Sequence, residues 1–380
     1  MTNAGYIPEA LALSRDKAVF RLLLDSVKLE AERLRMERLG RPPSIMEVCG
    51  SHTRTVSYSG LRDLLDGHID FVSGPGCPVC VTSDSDLAGI LGLAKTPNVT
   101  VATFGDMLRV PSPGGSLEHA RAQGAKVAVT YSPMDALSLA ESHPSREVVF
   151  LGIGFETTAP LTAVTVQAAQ ERGIRNFSVY SVHKTMPRAL DFILSDGNLR
   201  VDGLLLPGHV SAITGRRYFD FVGVRHKVPS AVAGFEPCDI LLATREILLM
   251  LASGEAAVRN MYPRAVREEG NQMAMSRIYQ VFEEADSLWR GLGSLPASGL
   301  SFSKEYRRFD ARHKFDLPPL SPQAQHPGCD CKFILTGAKK PGQCRSFGRS
   351  CTPTHPLGPC MVSSEGACRA HYEFGRRGVQ

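Results

Sequence analysis

No stretch of this 380-residue chain comes near the ~18–20 consecutive apolar residues that a membrane-spanning helix requires. A membrane role is therefore not expected. The first residues, MTNAGYIPEALALSRDK, lack the basic-then-apolar layout of an export leader, so the expected location is the cytoplasm. Charge of one sign is also scarce. Lys and Arg total 43 against 38 Asp and Glu, a net charge of +5. The basic residues are scattered except for KEYRR and GRR in the C-terminal third. Nothing has the density of a nucleic-acid stripe, and no nucleic-acid partner is expected. There is no GxxxxGK[ST], and GIGFET fails the dinucleotide pattern GxGxxG at Thr157. Ordinary phosphate-loop use of ATP has no support.

What the chain has is cysteine, ten residues of it. In a compartment that keeps thiols reduced, such a set points to metal or redox chemistry rather than to a disulfide framework. The length is too great for one ordinary core, so two or three domains are expected.

A repeating theme organises the first two thirds. A short apolar run leads into a Gly/Pro/Ser/Thr loop and then a helical pattern. The runs are SIMEV, IDFVS, NVTVATF, AKVAVTY, EVVFLGI, FSVYSV, DGLLL and PSAVAG. Continuous apolar runs suit strands buried on both faces, and strand–loop–helix alternation argues for an α/β fold built on parallel sheets. Residues 8–40 read as mostly helix, with Val19, Leu22, Leu23, Val27 and Leu34 at helical spacing. The units exceed one comfortable sheet, so two Rossmann-like domains are expected, 44–118 and 119–233. Residues 1–43 with 234–380 would form a helical and Cys-rich remainder. After Trp289 the alternation stops. Residues 320–380 are too poor in apolar runs to fold alone, and a metal centre would supply the missing stabilisation.

Most of the unusual polar motifs follow strands. In open parallel sheets ligands bind at the carboxyl ends of the strands, so Cys49, His52, Cys77, Cys80, Glu156, His209 and Glu236 are candidates to gather along one crevice. Cys49 ends a strand in CGSHT, where His52 would stabilise a thiolate, share a metal, or form a nucleophilic Cys–His pair. GPGCPVC places Cys77 and Cys80 before a helix expected to start near Asp84, capped by Ser83 or Asp84. It reads as a reversible disulfide, a soft-metal handover site, or a tight turn with buried thiols. Glu156 in GFETTAP and His209 in PGHVS sit in Gly-flanked loops suited to function. The plainer reading makes Thr157 and Thr158 helix caps. Cys238 in GFEPCDIL reads as core filler.

The tail holds Cys329, Cys331, Cys344, Cys351, Cys360 and Cys368, six thiols within 40 residues, without the two CxxC knuckles of a zinc site. An iron–sulfur centre, structural zinc and inert thiols all remain open. The centre would need four of the six, leaving a surplus for a redox pair.

Taken together, MEVCGSHTRT, SGPGCPVCVT, GFETTAP, PGHVSAITG, GFEPCDIL and FGRSCTPTHPLGPCMVSSEGAC resemble the HypD family of hydrogenase maturation factors, in order, from about residue 20 to 375. The resemblance implies a scaffold that helps to build the Fe(CN)2CO unit of nickel–iron hydrogenases. It also implies two similar α/β domains and a third domain with a [4Fe-4S] cluster. The implied partners are a small HypC-type chaperone and a HypE-type cyanide donor, loaded by a HypF-type carbamoyltransferase. By motif match Cys49 would bind the iron, with His52 and Thr53 beside it, and Cys77 and Cys80 would be a redox pair. Cys329, Cys344, Cys351 and Cys368 would hold the cluster, and Cys331 and Cys360 would form a second disulfide. The whole would be a thiol relay similar to ferredoxin:thioredoxin reductase. Glu156 and His209 would hold cyano groups or contact partners. The rival readings are an Fe–S-dependent thiol–disulfide reductase acting on a protein, in which Cys49 has no part, and a zinc-stapled interaction module.

Overall fold

A computed structural model describes residues 15–197, 199–318, 320 and 326–375. All eight expected strands form: β1 (Ser44–Glu47), β2 (Asp70–Ser73), β3 (Val99–Thr103), β4 (Lys126–Val129), β5 (Glu147–Gly152), β6 (Phe177–Ser181), β7 (Gly203–Pro207) and β8 (Ser230–Ala233). Three further strands were not expected: β9 (Val258–Asn260), and the antiparallel pair β10 (Phe282–Trp289) and β11 (Gly293–Phe302). A bulge between Ala285 and Ser287 and a left-handed Ala297 (φ 48°) break the period-two pattern of that hairpin.

The long strands assemble into two parallel sheets, ordered β2-β1-β7-β8-β9 and β4-β3-β5-β6. Both are wound alike. The first strand lies inside, the second pairs on one side, and the third pairs on the other. Each sheet therefore reverses direction once, between β1 and β7 and between β3 and β5, and such switch points open a crevice at the carboxyl ends of the strands.

The expected division into 44–118 and 119–233 is corrected by this pairing. β1 and β2 belong with β7, β8 and β9, and the whole of the second sheet is inserted between β2 and β7. Parallel partners need a crossover connection, and nothing in a sequence limits what that crossover contains. The remainder, 1–43 with 234–380, is likewise divided. Helix Pro237–Ser253 packs on β7 and β8, whereas Phe282, Leu300, Phe302 and Phe309 share a core with β5 and β6.

Helix Lys17–Leu34 lies on helix Pro237–Ser253. Asp16 starts it by accepting bonds from the Ala18 and Val19 N–H groups. Its buried stripe is Leu24, Val27, Ala31 and Leu34, while Leu22 faces solvent. A further turn, Arg35–Leu39, ends at Gly40 in the left-handed region (φ 66°). The expected residues 8–14 of this helix lie outside the described residues.

The Cys-rich tail has little regular structure: turns at Cys331–Leu335, Pro341–Gln343 and Pro359–Met361, and helix Ala367–Phe374. Its buried Cys331, Ile334, Leu335, Cys360 and Met361 join the core cluster that contains Met46, Val48 and Leu204. Helix Ala367–Phe374 rests on helix Gly50–Tyr58, with the Phe374 ring 6.1 Å from Tyr58 and under Arg54. The tail is ordered by docking onto the first sheet. No described helix is long and apolar enough to cross a membrane.

Candidate functional site

A cleft of about 220 Å³ opens where the two sheets present their carboxyl ends to each other. Its walls come from both switch points. Val48 and Cys49 follow β1, and Pro207 and His209 follow β7. Phe104 and Asp106 follow β3, and the Ile153–Thr158 loop follows β5. Gly76, Pro78 and Val79 of the loop after β2 and Glu365 of the tail complete it.

Cys49 is the one cysteine among the lining residues and is 7 % exposed. It sits at the extended position before helix Gly50–Tyr58, so the first helical N–H groups, those of Ser51 and His52, surround it. Burial, and then the Glu365 carboxylate, push its thiol up to about 12. At neutral pH Cys49 is a protonated thiol in the absence of a cation.

Two glycines bring other loops against this residue. A Cβ on Gly76 would lie 2.5 Å from the Cys49 backbone N and Cα, and the Gly50 N–H donates to the Gly76 carbonyl at 3.0 Å. A Cβ on Gly50 would lie 2.6 Å from the Glu365 backbone O and Cβ. Ser51 Oγ donates to Glu365 Oε1 at 2.6 Å. The loop of the Cys77–Cys80 pair and the tail therefore both touch the Cys49 segment through backbone.

Cys77 and Cys80 are joined by a disulfide and buried behind the cleft wall, 3 % and 0 % exposed. Cys77 precedes the short helix Pro78–Val81, and Ser83 caps the next helix, Asp84–Ala94, accepting from Asp86 N–H at 3.0 Å as its sequence implied. Helix Pro78–Val81 packs against the Pro359–Met361 turn that carries Cys360. Cys360 Sγ in turn lies 3.0 Å from Cys331 Sγ. Cys331 and Cys360 are thus adjacent free thiols here rather than the expected second disulfide, and the turn that carries Cys360 touches the helix of the Cys77–Cys80 disulfide.

Of the other sequence candidates, His209 is at the cleft, stacked on Phe235 with ring centroids 3.7 Å apart. Burial lowers its pKa. His52 lies deeper, on Phe235 at 5.0 Å. Its Nε2 meets the Ala233 carbonyl at 3.2 Å, its Nδ1 has no partner, and burial lowers it to about 4. The expected His52–Cys49 partnership is thus not made: the imidazole is neutral and bonded elsewhere. Thr53 Oγ1 donates to the Cys49 carbonyl at 3.4 Å. Glu236 lies apart from the cleft, capping helix Pro237–Ser253 and paired with Arg15 at 2.6 Å. Cys238 is buried there, 4 % exposed, with the Asp16 carbonyl 3.9 Å from its sulfur. Thr158 does not cap the helix that follows it: its hydroxyl turns back to the Ile153 carbonyl at 3.0 Å.

Glu156 turns away from the cleft. Its Oε1 accepts from Met186 N–H at 2.8 Å and Tyr218 O–H at 3.0 Å, and its Oε2 is unpartnered. Burial raises its pKa from 4.5 to about 7. The folded chain therefore binds a proton here between pH 4.5 and 7 that the unfolded chain has released, and stability falls as pH rises through that window. Glu156→Gln keeps both accepted bonds without the charge. It is expected to match wild type near pH 4.5 and to exceed it at pH 8 by on the order of 3 kcal/mol. Thermal melts at the two pH values check this, and an equal difference at both would refute it.

In the tail, Cys351 and Cys368 are buried, and Cys329 and Cys344 are partly exposed. Burial, and then Cys331, Cys329, Cys351 and Cys344, raise the Cys368 thiol, so these sulfurs are mutual neighbours. Gly358 closes against Cys329: a Cβ there would meet its Sγ at 2.7 Å. Among the described residues no trio of His, Cys, Asp or Glu closes tightly enough for a single metal ion. Cys329, Cys344, Cys351 and Cys368 do offer four thiols, the number and type of donor that a cuboidal iron–sulfur cluster takes. Sequence reasoning missed Asp106, Phe235 and Glu365 as site residues, although Phe235 lies within GFEPCDIL and Glu365 between Cys360 and Cys368 of the tail motif.

Two similarly wound parallel sheets, a cleft between their switch points with Cys49 in its wall, and a docked cysteine-rich tail define the class: an α/β protein of two parallel sheets with a Cys-rich C-terminal region. The chain matches the HypD family model, described as the hydrogenase formation hypA family, over residues 23–375. It is 42% identical over 365 residues to the hydrogenase maturation factor HypD of Rhodobacter capsulatus, covering 95% of this chain and 97% of that protein. The HypD of Azotobacter vinelandii is 43% identical over 370 residues, 96% of each chain. That of Escherichia coli K12 is 43% identical over 335 residues, 88% of this chain and 90% of its own. The chain belongs to the HypD family, and its role lies in hydrogenase maturation.

Proposed function

We propose that this chain is the scaffold on which the Fe(CN)2CO unit of nickel–iron hydrogenases is assembled, with the iron held through Cys49. The carrying observation is that Cys49 is the one thiol lining the cleft, with the CxxC loop and the tail both touching its backbone. A soft thiolate suits low-spin Fe(II), and the incoming Fe(II) ion is a cation whose arrival, before two cyanides neutralise it, offsets the cost of ionising a buried thiol beside Glu365. A HypC-type chaperone covers the cleft and a HypE-type protein, loaded by a HypF-type carbamoyltransferase, delivers cyanide. His209 faces the cargo, and Phe235 between His209 and His52 fixes its ring.

Cys329, Cys344, Cys351 and Cys368 are the residues that would hold a [4Fe-4S] cluster, which when bound supplies electrons one at a time. The Cys331/Cys360 dithiol reduces the Cys77–Cys80 disulfide. One thiolate attacks a sulfur of the disulfide, its partner displaces the resulting mixed disulfide, and two protons pass to Cys77 and Cys80 as Cys331–Cys360 forms. The reductase reading, with a protein as the disulfide partner, is disfavoured because Cys77 and Cys80 are shielded from any outside thiol.

Metal and sulfide analysis of the anaerobically purified full chain tests the tail. Beyond any cargo iron at Cys49, about four irons and four sulfides are expected, and Cys344→Ala should lose the sulfide and those four irons and unfold the tail first. Zinc without sulfide, or four-iron stoichiometry retained in the variant, refutes the ligand set.

A further inference from the structure

The thiol relay needs an external source of electrons, and the tail surface carries a feature that the assembly reading leaves unused. Of the four proposed cluster ligands, only Cys329 and Cys344 reach the surface. Their segments lie side by side, since Ser346 Oγ donates to the Gly328 carbonyl at 2.8 Å. Cys329 also borders a separate cleft of about 530 Å³, together with Lys332 and Phe333. Phe333 is 38 % exposed, with the Lys332 and Lys339 ammonium groups 4.7 and 5.0 Å from its ring.

The charges around these two cysteines are unbalanced. Asp330 is neutralised by Lys339 at 3.0 Å, Glu373 pairs with Arg369 at 2.5 Å, and Glu365 is turned inward to Ser51. Exposed Lys332, Arg345 and Arg349 have no carboxylate partner among the described residues. An exposed aromatic ring with the unpaired Lys332 over it, beside Cys329, and the unpaired Arg345 and Arg349 on the adjoining Cys344 segment have the character of an electron-transfer docking patch. Such encounters bury little area and depend on charge steering for their rate.

We propose that this patch docks an acidic one-electron carrier protein, of the reduced iron–sulfur or flavin class, which gives one electron to the cluster and leaves oxidised by one electron. The proposal rests on the cluster reading above.

The test uses the anaerobic full chain, with its iron and sulfide counted first, and a reduced acidic plant-type [2Fe-2S] ferredoxin as the probe. Stopped-flow bleaching of the cluster absorbance gives the second-order rate. In wild type this rate should fall steeply with ionic strength. Lys332→Glu, Arg345→Glu and Arg349→Glu combined should lower it about tenfold or more at low salt, and the two curves should converge at high salt. The three glutamine substitutions should give an intermediate loss. Photoreduction by a small deazaflavin donor should be unchanged in all forms. A wild-type rate independent of salt, or a charge-reversal loss under about twofold, overturns the docking patch while leaving the cluster intact. A wild-type chain without iron and sulfide instead overturns the cluster reading, and the patch falls with it.

Discussion

Cys49→Ala, purified from cells carrying out hydrogenase maturation, is expected to show no vibrational bands of iron-bound cyanide or carbon monoxide while keeping the absorbance of the tail cluster. The two signals separate because the two sets of sulfur are separate. Cys49 is the one cysteine on the cleft wall, and the proposed cluster ligands are all in the docked tail. Alanine leaves His209, Asp106 and Glu365 in place, but none is a soft ligand, and low-spin iron with strong-field diatomics needs one. Folding should survive, since removing one sulfur from an open cleft wall creates little cavity. Infrared spectra of the purified protein decide the matter: bands at wild-type intensity would mean that the iron is anchored elsewhere.

Gly76→Ala should have the second largest effect, without touching a sulfur. The added methyl would lie 2.5 Å from the Cys49 N and Cα and 2.7 Å from its C. Those are backbone atoms, so no side chain can swing aside. The Gly50 N–H to Gly76 carbonyl bond crosses the same contact. The loop after β2 must lift away from β1, with an expected cost of about 3 kcal/mol. The Cys77–Cys80 disulfide should still form, because both cysteines move together. The iron–cyanide bands should weaken, because the wall beside Cys49 is displaced. Thermal melts, disulfide mapping and infrared spectra measure the three effects, and a variant with wild-type melting and wild-type bands would show that the two loops need not touch.

Most of the eight expected strands are short apolar runs, such as EVVFLGI, closed by Gly or Pro, a pattern that reports burial on both faces without reference to its neighbours; β4, at the sheet edge, forms without that burial. The Ser83 cap was legible because a Ser three residues before Asp86 states a local bond. The β10–β11 hairpin was hidden because a bulge and a left-handed Ala297 break the pattern that a reader would count. His52 suggested itself as a partner for Cys49 by proximity in sequence, yet on a helix that starts at Gly50 its ring meets the opposite backbone, at Ala233.

The sequence by itself determined the eight parallel strands β1 to β8, the positions of the thiols and the family, because strand patterning, turn chemistry and motif order are all properties of neighbouring residues. Tertiary structure alone decided that β1 pairs with β7 across an inserted sheet and that Glu365 reaches Ser51 from 314 residues away. Parallel strands exchange no signal along the chain that would name their partners. The cleft exists only where two independently wound sheets turn their carboxyl ends toward each other.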